Sequence, residues 1–240
     1  MVLNTLLRSV WPSQCVSCSH SIAFDGFCHA CTGSIVPGRD VSCTQCGDIF
    51  LDLPYSASNY RCGSCLSEGQ PYMRGRSAFA YGAAMRDAII AWKNRSRPEI
   101  GKVLGAMMFR ELEKDWLGEL SPSTEVVPIP TSFRRAFSRG FNPAGQLARL
   151  LATKRGLRCT TSYLALRQSL PRAHGLSKRQ RKHRNRSRFV AQPTVRGKNI
   201  LLVDDVRATG QTLREASKVL RRQGAVRIDV AVLAAVPNEH

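Results

Sequence analysis

The sequence predicts an α/β domain with a mostly parallel sheet flanked by helices, preceded by a small cysteine-rich module. Three observations support this prediction. Four Cys-x-x-Cys pairs lie between residues 15 and 65, predicted strands and helices alternate after about residue 74, and an apolar run at 199–203 leads into two adjacent aspartates. We therefore expect a cysteine-rich module at 1–72 and an α/β domain at 73–240.

The composition indicates a folded protein with a polyanionic partner. Hydrophobic residues make up 43% of the 240 residues, which is enough for a core. The formal net charge is +19, and no acidic residue occurs between Glu125 and Asp204, where we count 18 lysines and arginines. Charge this one-sided favours phosphate groups, on a small ligand, on nucleic acid or on both, over an ordinary solvated surface.

The same sequence contains no recognisable membrane segment. No apolar run approaches the roughly 18 residues that a spanning helix requires, and the N-terminal residues do not resemble a signal peptide. We expect a cytoplasmic protein. Peripheral contact with the inner membrane and the oligomeric state stay open.

The cysteine-rich module indicates two metal sites. The four pairs are Cys15/Cys18, Cys28/Cys31, Cys43/Cys46 and Cys62/Cys65, and the ninth cysteine is Cys159. A two-residue gap lets both thiolates of a pair bind one ion, and two pairs complete the tetrahedral sulfur site of structural zinc. We predict a double zinc-ribbon module with two Zn sites formed by neighbouring pairs. A cross-braced arrangement, in which the first pair joins the third, stays open.

Disulfide and redox roles of the cysteine pairs fit the sequence less well than zinc binding does. A disulfide framework is typical of secreted chains, and none of the pairs follows a strand at the start of a helix, as a redox motif does. All predicted ligands are sulfur, so no coordination position is left for water. The predicted sites are therefore structural, and metal is expected to supply the folding free energy of this loop-rich module.

Helical periodicity appears directly after the module. The stretch AMRDAIIAWKN predicts a short helix, and EIGKVLGAMMFRELEKDW predicts a longer one. The apolar face of the longer helix consists of Ile100, Val103, Leu104, Met107 and Met108. TEVVPIP predicts a strand that ends at proline, and TSFRRAFSRGF predicts a loop after it.

The second half of the domain continues the alternation. A helix is predicted to begin with Asn142 as its cap and to end at Gly156, with Leu147, Leu150 and Leu151 buried. Residues 168–188 are polar and basic, and we predict a long mobile loop. Strand 199–203, a helix from about Thr212 to Gln223 and a last strand in RIDVAVLAA complete the domain.

The stretch NILLVDDVRATGQT predicts a ligand site. Ligands in parallel sheets bind beyond the carboxyl ends of the strands, where Asp204 and Asp205 are expected. The turn that follows places backbone N–H groups and the hydroxyls of Thr209 and Thr212 at a helix N-terminus, which suits phosphate. Carboxylates would repel that phosphate unless they bind something neutral or cationic on the same ligand. A sugar phosphate satisfies both, with ribose hydroxyls or a magnesium ion at the carboxylates.

The same stretch resembles the 5-phosphoribosyl-1-pyrophosphate (PRPP) signature of type I phosphoribosyltransferases. The whole chain resembles the ComF family, also called GntX-like, which joins a cysteine-rich zinc module to a phosphoribosyltransferase domain. VPIPTSFRRAFSRGFNPAGQLAR and HGLSKRQRKHRNRSRF are similar to two further segments of that family. There are two departures. His174 stands where glutamine is expected, and Ala208 replaces a threonine of the signature. Because Ala208 lacks the threonine hydroxyl, backbone amides are expected to provide most of the phosphate contacts.

The resemblance implies specific residues. The expected catalytic residues are Asp204 and Asp205. The expected PRPP-binding residues are Asp204, Asp205, Val206, Arg207, Ala208, Thr209, Gly210, Gln211 and Thr212, with Mg²⁺ bound together with PRPP. Pyrophosphate is expected at Arg134, Arg135 and Arg139, of which Arg139 matches a family motif.

The resemblance to the ComF family, together with the basic stretch, implies two functions. The first is a PRPP- and Mg-binding protein of DNA uptake and natural transformation, with single-stranded DNA and DNA-uptake proteins as partners. The expected nucleic-acid contacts are Lys178, Arg179, Arg181, Lys182, Arg184, Arg186 and Arg188. The alternative is an active phosphoribosyltransferase of nucleotide metabolism, with a nitrogen acceptor that the sequence does not identify.

Overall fold

The computed structural model describes residues 13–51, 60–94, 97–167 and 188–238. A five-stranded, all-parallel sheet with the strand order β3-β9-β8-β4-β5 forms its centre. The strands are β3 (Arg74–Ala80), β4 (Thr124–Pro128), β5 (Arg158–Cys159), β8 (Asn199–Arg207) and β9 (Arg227–Ala235). The predicted parallel α/β sheet is therefore confirmed.

Two small hairpins and short helices surround this sheet. In the cysteine-rich part, β1 (Ser13–Gln14) pairs antiparallel with β2 (Ser21–Ile22), and two short helices follow, α1 (His29–Gly33) and α2 (Gly63–Ser67). The second hairpin joins β6 (Leu164–Leu166) to β7 (Phe189–Ala191). Single 3-10 turns occupy Arg39–Val41, Leu117–Glu119 and Pro193–Val195.

The remaining helices lie against the sheet or at its edge. They are α3 (Ala83–Asn94), α4 (Pro98–Asp115), α5 (Phe133–Arg139), α6 (Pro143–Arg155) and α7 (Gln211–Arg222). Side chains of α3, α4 and α6 pack on one face of the sheet. The opposite face is covered by α7, the β6–β7 hairpin and the cysteines from Cys43 to Cys65.

Strand β8 shows why the sheet can be recognised in the sequence. Its residues alternate between the two cores, with Ile200 and Leu202 on one face and Leu201 and Val203 on the other. A parallel strand covered on both faces has a continuous apolar sequence. The run 199–203 is such a sequence, and it marks the centre of the sheet.

Two predictions of secondary structure are wrong, one about a helix and one about the end of a strand. The stretch 131–141, predicted as a loop, contains helix α5, which ends at Gly140 with a φ of +76°. Its arginines and phenylalanines lack the regular apolar spacing that marks a buried helix, because much of its surface is exposed. Strand β8 also continues to Arg207 and does not stop at Val203, so both aspartates belong to the strand itself.

The helix α6 begins and ends where the sequence predicts, but the role of its first residue differs. Asn142 occupies the N-cap position without a side-chain capping hydrogen bond. Its Nδ2 instead donates to the carbonyl of Ile129 at 3.1 Å, which ties the start of the helix to the end of β4. Gly156 terminates the helix with a φ of +64°, as expected.

Within the described ranges, no helix combines the length and the apolar character that crossing a bilayer requires. The predicted mobile loop falls almost entirely at 168–187, outside the described residues. The domain boundary between residues 72 and 73 stays a prediction.

Candidate functional site

A cavity of about 500 Å³ opens at the carboxyl ends of β4 and β8. This is the edge of a parallel sheet at which ligands bind. Its polar lining includes Lys93, Arg135, Arg139, Asp204, Asp205 and Thr212, and its apolar lining includes Ile129, Leu166 and Phe189. The fold therefore brings both predicted aspartates and two of the three predicted arginines to one cavity.

The aspartate pair lies at the floor of this cavity. The N–H of Asp205 donates to Asp204 Oδ1 at 2.9 Å, and the N–H of Val206 donates to Asp205 Oδ1 at 2.7 Å. Burial, followed by the neighbouring charge of Asp205, raises the pKa of the Asp204 carboxyl well above its usual range. A cation beside the pair would therefore favour the ionised form of Asp204.

Lys93, which no sequence motif predicts at this site, partly supplies that cation. Its Nζ lies 2.9 Å from Asp205 Oδ2, and both side chains are largely buried. Lys93 lies at the end of α3, more than a hundred residues before the aspartates, so no local motif connects them. The local sequence shows only a lysine in the last turn of an amphipathic helix.

The phosphate loop, residues 207–212, forms a smaller cavity beside the aspartates. This cavity measures about 110 Å³ and is lined by Arg207, Ala208, Thr209, Gly210 and Thr212, together with Asp204. Gly210 precedes α7 with a φ of +70°, a conformation that favours glycine. Helix α7 therefore begins at this pocket, and a helix N-terminus is a position at which backbone N–H groups can bind a phosphate.

Arg188 lies at the rim of the main cavity, beside this loop. Its Nε is 2.8 Å from Glu215 Oε2, and its Nη2 donates to the Thr212 hydroxyl. The sequence assigned Arg188 to nucleic acid together with six residues between 178 and 186. Those six lie outside the described residues, and Arg188 is the member of the basic segment that the described part of the chain places at the site.

The predicted pyrophosphate arginines separate into two groups. Arg135 and Arg139 are one helical turn apart on α5 and line the cavity. Arg134 is exposed and does not belong to the lining. The difference depends on α5: in a helix, residues four positions apart share a face, whereas adjacent residues do not.

The eight paired cysteines gather into two clusters. The first cysteine group contains Cys15, Cys18, Cys28 and Cys31, and the second cysteine group contains Cys43, Cys46, Cys62 and Cys65. Neighbouring pairs therefore come together, and the cross-braced alternative does not match this structure. Within each group, all four sulfur atoms lie within 4.8 Å of one another.

The geometry of both groups fits zinc. Sulfur atoms approach to 3.7 Å between Cys18 and Cys28 and to 3.6 Å between Cys46 and Cys62. A tetrahedral site with Zn–S bonds near 2.3 Å places sulfurs about 3.8 Å apart. The hydrogen bond from the Cys46 thiol, with further help from the N–H of Cys62, lowers the pKa of the Cys43 thiol to about 4. That sulfur is therefore ready to bind metal as a thiolate.

Comparison with curated proteins finds relatives of the same length. The chain is 30% identical over 224 residues to the DNA utilization protein YhgH of Escherichia coli strain K12, a match that covers 91% of this chain and 95% of that protein. It is 26% identical over 227 residues to Competence protein F of Haemophilus influenzae, covering 92% of this chain and 96% of that protein.

A family model matches the C-terminal part of the chain, and a solved structure matches 63% of the chain. The phosphoribosyl transferase domain model matches residues 137–240. Glutamine PRPP amidotransferase from B. subtilis, complexed with ADP and GMP, is 20% identical, with a TM-score of 0.38 over 63% of this chain and 28% of that chain. The segment that the family model matches begins inside α5 and contains the aspartate pair and the phosphate loop.

Proposed function

Because the chain belongs to the ComF-like family of phosphoribosyltransferase-domain proteins, we propose that it binds PRPP with magnesium and acts in DNA uptake. The observation that carries the proposal is the composition of the 500 Å³ cavity. Carboxylates for ribose and arginines for pyrophosphate line this cavity. The adjoining 110 Å³ cavity, which shares Asp204, Val206 and Thr212 with it, holds the helix N-terminus for phosphate. Cavities of roughly 300–1,000 Å³ are typical of small-molecule sites, so a sugar phosphate fits.

Each part of PRPP has a suitable counterpart in the cavity. The phosphate loop offers N–H groups and the Thr212 hydroxyl to the 5-phosphate. The carboxylates of Asp204 and Asp205 are acceptors for the ribose hydroxyls. Arg135 and Arg139 approach from the α5 side, where the pyrophosphate would lie.

Magnesium fits the carboxylates of Asp204 and Asp205. The metal prefers oxygen ligands, and the raised pKa of Asp204 indicates that the pair gains from a nearby cation. When bound, magnesium would neutralise pyrophosphate charge. Lys93 contacts Asp205 in the free protein, so we expect its ammonium to move away from the carboxylate when the cation binds.

Calorimetry tests the PRPP proposal directly. PRPP is titrated into the zinc-loaded protein with magnesium and again with a chelator that removes magnesium but leaves zinc bound. We expect saturable binding that depends on magnesium. Ribose 5-phosphate should bind more weakly, because it lacks the pyrophosphate contacts. A protein that binds neither ligand at millimolar concentration would contradict the proposal.

A specific observation also favours the alternative, an active phosphoribosyltransferase. Ile129, Leu166 and Phe189 form an apolar part of the cavity lining. This apolar side suits a flat nitrogen base next to the ribose. In that reaction a nitrogen lone pair forms the bond to C1 of PRPP while the bond from C1 to pyrophosphate breaks. Release of pyrophosphate in the presence of candidate acceptors, DNA included, would distinguish transfer from binding alone.

The proposed DNA contact leads to a prediction on salt dependence. Replacing Lys178, Arg179, Arg181 and Lys182 by glutamine removes four of the seven cations in 178–188. Each lysine or arginine that contacts a phosphate of single-stranded DNA contributes roughly 0.7 to the log–log slope of affinity against salt. The quadruple variant should therefore lower that slope by up to about 3, measured by fluorescence anisotropy at several salt concentrations.

A matched control keeps the net charge equal. Lys102, Arg110, Arg221 and Arg222 are exposed cations on α4 and α7, far from 178–188 in the sequence. Their replacement by glutamine should leave the slope nearly unchanged. Equal slopes for the 178–182 variant and the wild type would remove the main support for DNA contact by this segment.

A further inference from the structure

The phosphate loop is attached to the cysteine-rich part of the chain at its first residue. Arg207 is the last residue of β8, and its side chain is completely buried. Its Nε forms an ion pair with Asp48 Oδ1 at 2.6 Å, and its Nη1 donates to the carbonyl of Cys46 and to the Tyr72 hydroxyl. A buried guanidinium needs such partners, because an unpaired buried charge is strongly unfavourable.

The acid that holds Arg207 also contacts a cysteine of the second cysteine group. Asp48 Oδ2 accepts a hydrogen bond from the Cys46 thiol at 3.3 Å, while its other oxygen faces Arg207. One carboxylate therefore joins the guanidinium to a sulfur atom. When Cys46 binds metal as a thiolate, it loses the proton that Asp48 accepts. The link between Arg207 and this cysteine then consists of the hydrogen bond from Arg207 Nη1 to the Cys46 carbonyl, while the guanidinium keeps the charge of Asp48 neutralised.

The guanidinium also supports the backbone of the loop. A Cβ atom added to Gly210 would lie 2.8 Å from Arg207 Nη2 and 2.9 Å from its Cζ. Arg207 thus fills the space directly beneath the glycine that precedes α7. Nη2 is buried and has no hydrogen-bond partner among the described residues, so its contact with the loop is one of packing.

The other end of the loop is attached to the same cysteine group. Arg214, in the first turn of α7, donates from Nε to Gln70 Oε1 at 3.0 Å and from Nη2 to Ser64 Oγ at 3.3 Å. Gln70 in turn donates from Nε2 to Cys65 Sγ at 3.3 Å. One pair of the second cysteine group is therefore connected to residue 207, and the other pair is connected to residue 214.

The two cysteine groups differ in the core to which they belong and in their contacts with the phosphate loop. The second cysteine group belongs to the same core as Leu213 and the face of the sheet beneath α7. Cys15 of the first cysteine group packs with α3 and α4 on the opposite face. Within the described residues, every contact traced above from a cysteine to the phosphate loop begins at the second cysteine group.

From these contacts we propose that the second cysteine group is a structural part of the phosphate site, with Arg207 and Arg214 as positioning residues. The ion pair of Arg207 and the hydrogen bonds of Arg214 fix the two ends of residues 207–212. The loop amides then keep one orientation toward a bound phosphate. The inference deepens the proposed PRPP function, on which its ligand part rests.

The test measures the order of the phosphate loop in the free protein and the affinity of the protein for a phosphate ligand. Hydrogen exchange of a peptide spanning the loop reports its order in the free protein, and calorimetry with ribose 5-phosphate reports phosphate affinity. Gln70→Leu removes the link to Arg214 without changing charge, and Arg214→Leu removes it from the other side. Arg221→Leu, which replaces an exposed arginine on the same helix, is the matched control for charge.

We expect Gln70→Leu and Arg214→Leu each to speed loop exchange and to weaken ribose 5-phosphate binding by about two- to tenfold, the range of one lost hydrogen bond. The double variant should show no faster loop exchange and no weaker binding than the more affected single variant. Both substitutions remove the same hydrogen bond between Arg214 and Gln70. Arg207→Met should also speed loop exchange and weaken ribose 5-phosphate binding. Arg207→Lys should exchange more slowly than Arg207→Met, because lysine keeps the positive charge beside Asp48.

Two outcomes would overturn the inference: loop exchange that stays at the wild-type rate in Gln70→Leu and Arg214→Leu, or fully additive effects in the double variant. The proposed function fails in a different way. If the wild-type protein binds neither PRPP nor ribose 5-phosphate but its loop exchange still responds to these substitutions, the loop is held by the second cysteine group and the ligand is misidentified.

Discussion

Replacing Asp204 and Asp205 together by asparagine is expected to weaken Mg-dependent PRPP binding at least about 100-fold. Hydrogen bonds to a charged group contribute about 1.5–3 kcal/mol each, and both carboxylates are proposed to contact ribose or magnesium. Asparagine keeps the size of the side chain and removes the charge. Calorimetric titration of PRPP with magnesium measures the difference.

The fold should survive this change. The raised pKa of Asp204 means that its ionised form opposes folding at pH values above its unfolded pKa. Neutral asparagine removes that cost, so a lower melting temperature is not expected from this position. Asp25→Asn/Asp87→Asn, which removes two exposed acids, is the control for net charge. Unchanged PRPP affinity in the Asp204/Asp205 variant would show that the carboxylates have another role.

The second large effect concerns metal. The wild-type protein is expected to contain about two zinc ions per chain, and Cys43→Ser should reduce that number to about one. Structural zinc contributes on the order of 10 kcal/mol in small zinc modules. Cys43 is fully buried in the same core as Leu213, which directly follows the phosphate loop. Its replacement should therefore lower the free energy of unfolding by more than about 3 kcal/mol.

Cys18→Ser provides a matched comparison, because Cys18 is the exposed cysteine of the first cysteine group. It should also lose about one zinc, with a smaller loss of stability, since less packing depends on it. Metal analysis and chemical denaturation measure both quantities. Wild-type protein with one zinc would contradict the two-site assignment, and protein with none would contradict the metal module.

Features encoded in short stretches could be predicted from the sequence. The cysteine spacing indicated two neighbouring clusters, and the apolar run before Asp204 located the central strand, at whose carboxyl end the cavity opens. Helix α5 was missed because two of its arginines line the cavity and Phe137 is exposed, so no buried stripe marks it. Those two arginines reach the cavity together only because the segment is helical.

Features that depend on distant parts of the chain were not predicted. Lys93 reaches Asp205 from α3, and Asp48 reaches Arg207 from the cysteine-rich segment. One signal was present in the sequence. An arginine among the last residues of an apolar strand needs a buried partner, and Arg207 has that position. Nothing local in the sequence identifies Asp48 as that partner, because the two residues are brought together only by folding.

A crystal structure with PRPP and Mn²⁺ in place of Mg²⁺ tests the proposed ligand site most directly. We expect the 5-phosphate against the N–H groups of residues 208–212 and the ribose hydroxyls within hydrogen-bond distance of Asp204 and Asp205. The anomalous signal of manganese should lie beside those carboxylates. An ordered PRPP whose pyrophosphate occupies the loop, or whose ribose lies away from both aspartates, would contradict the proposed binding mode.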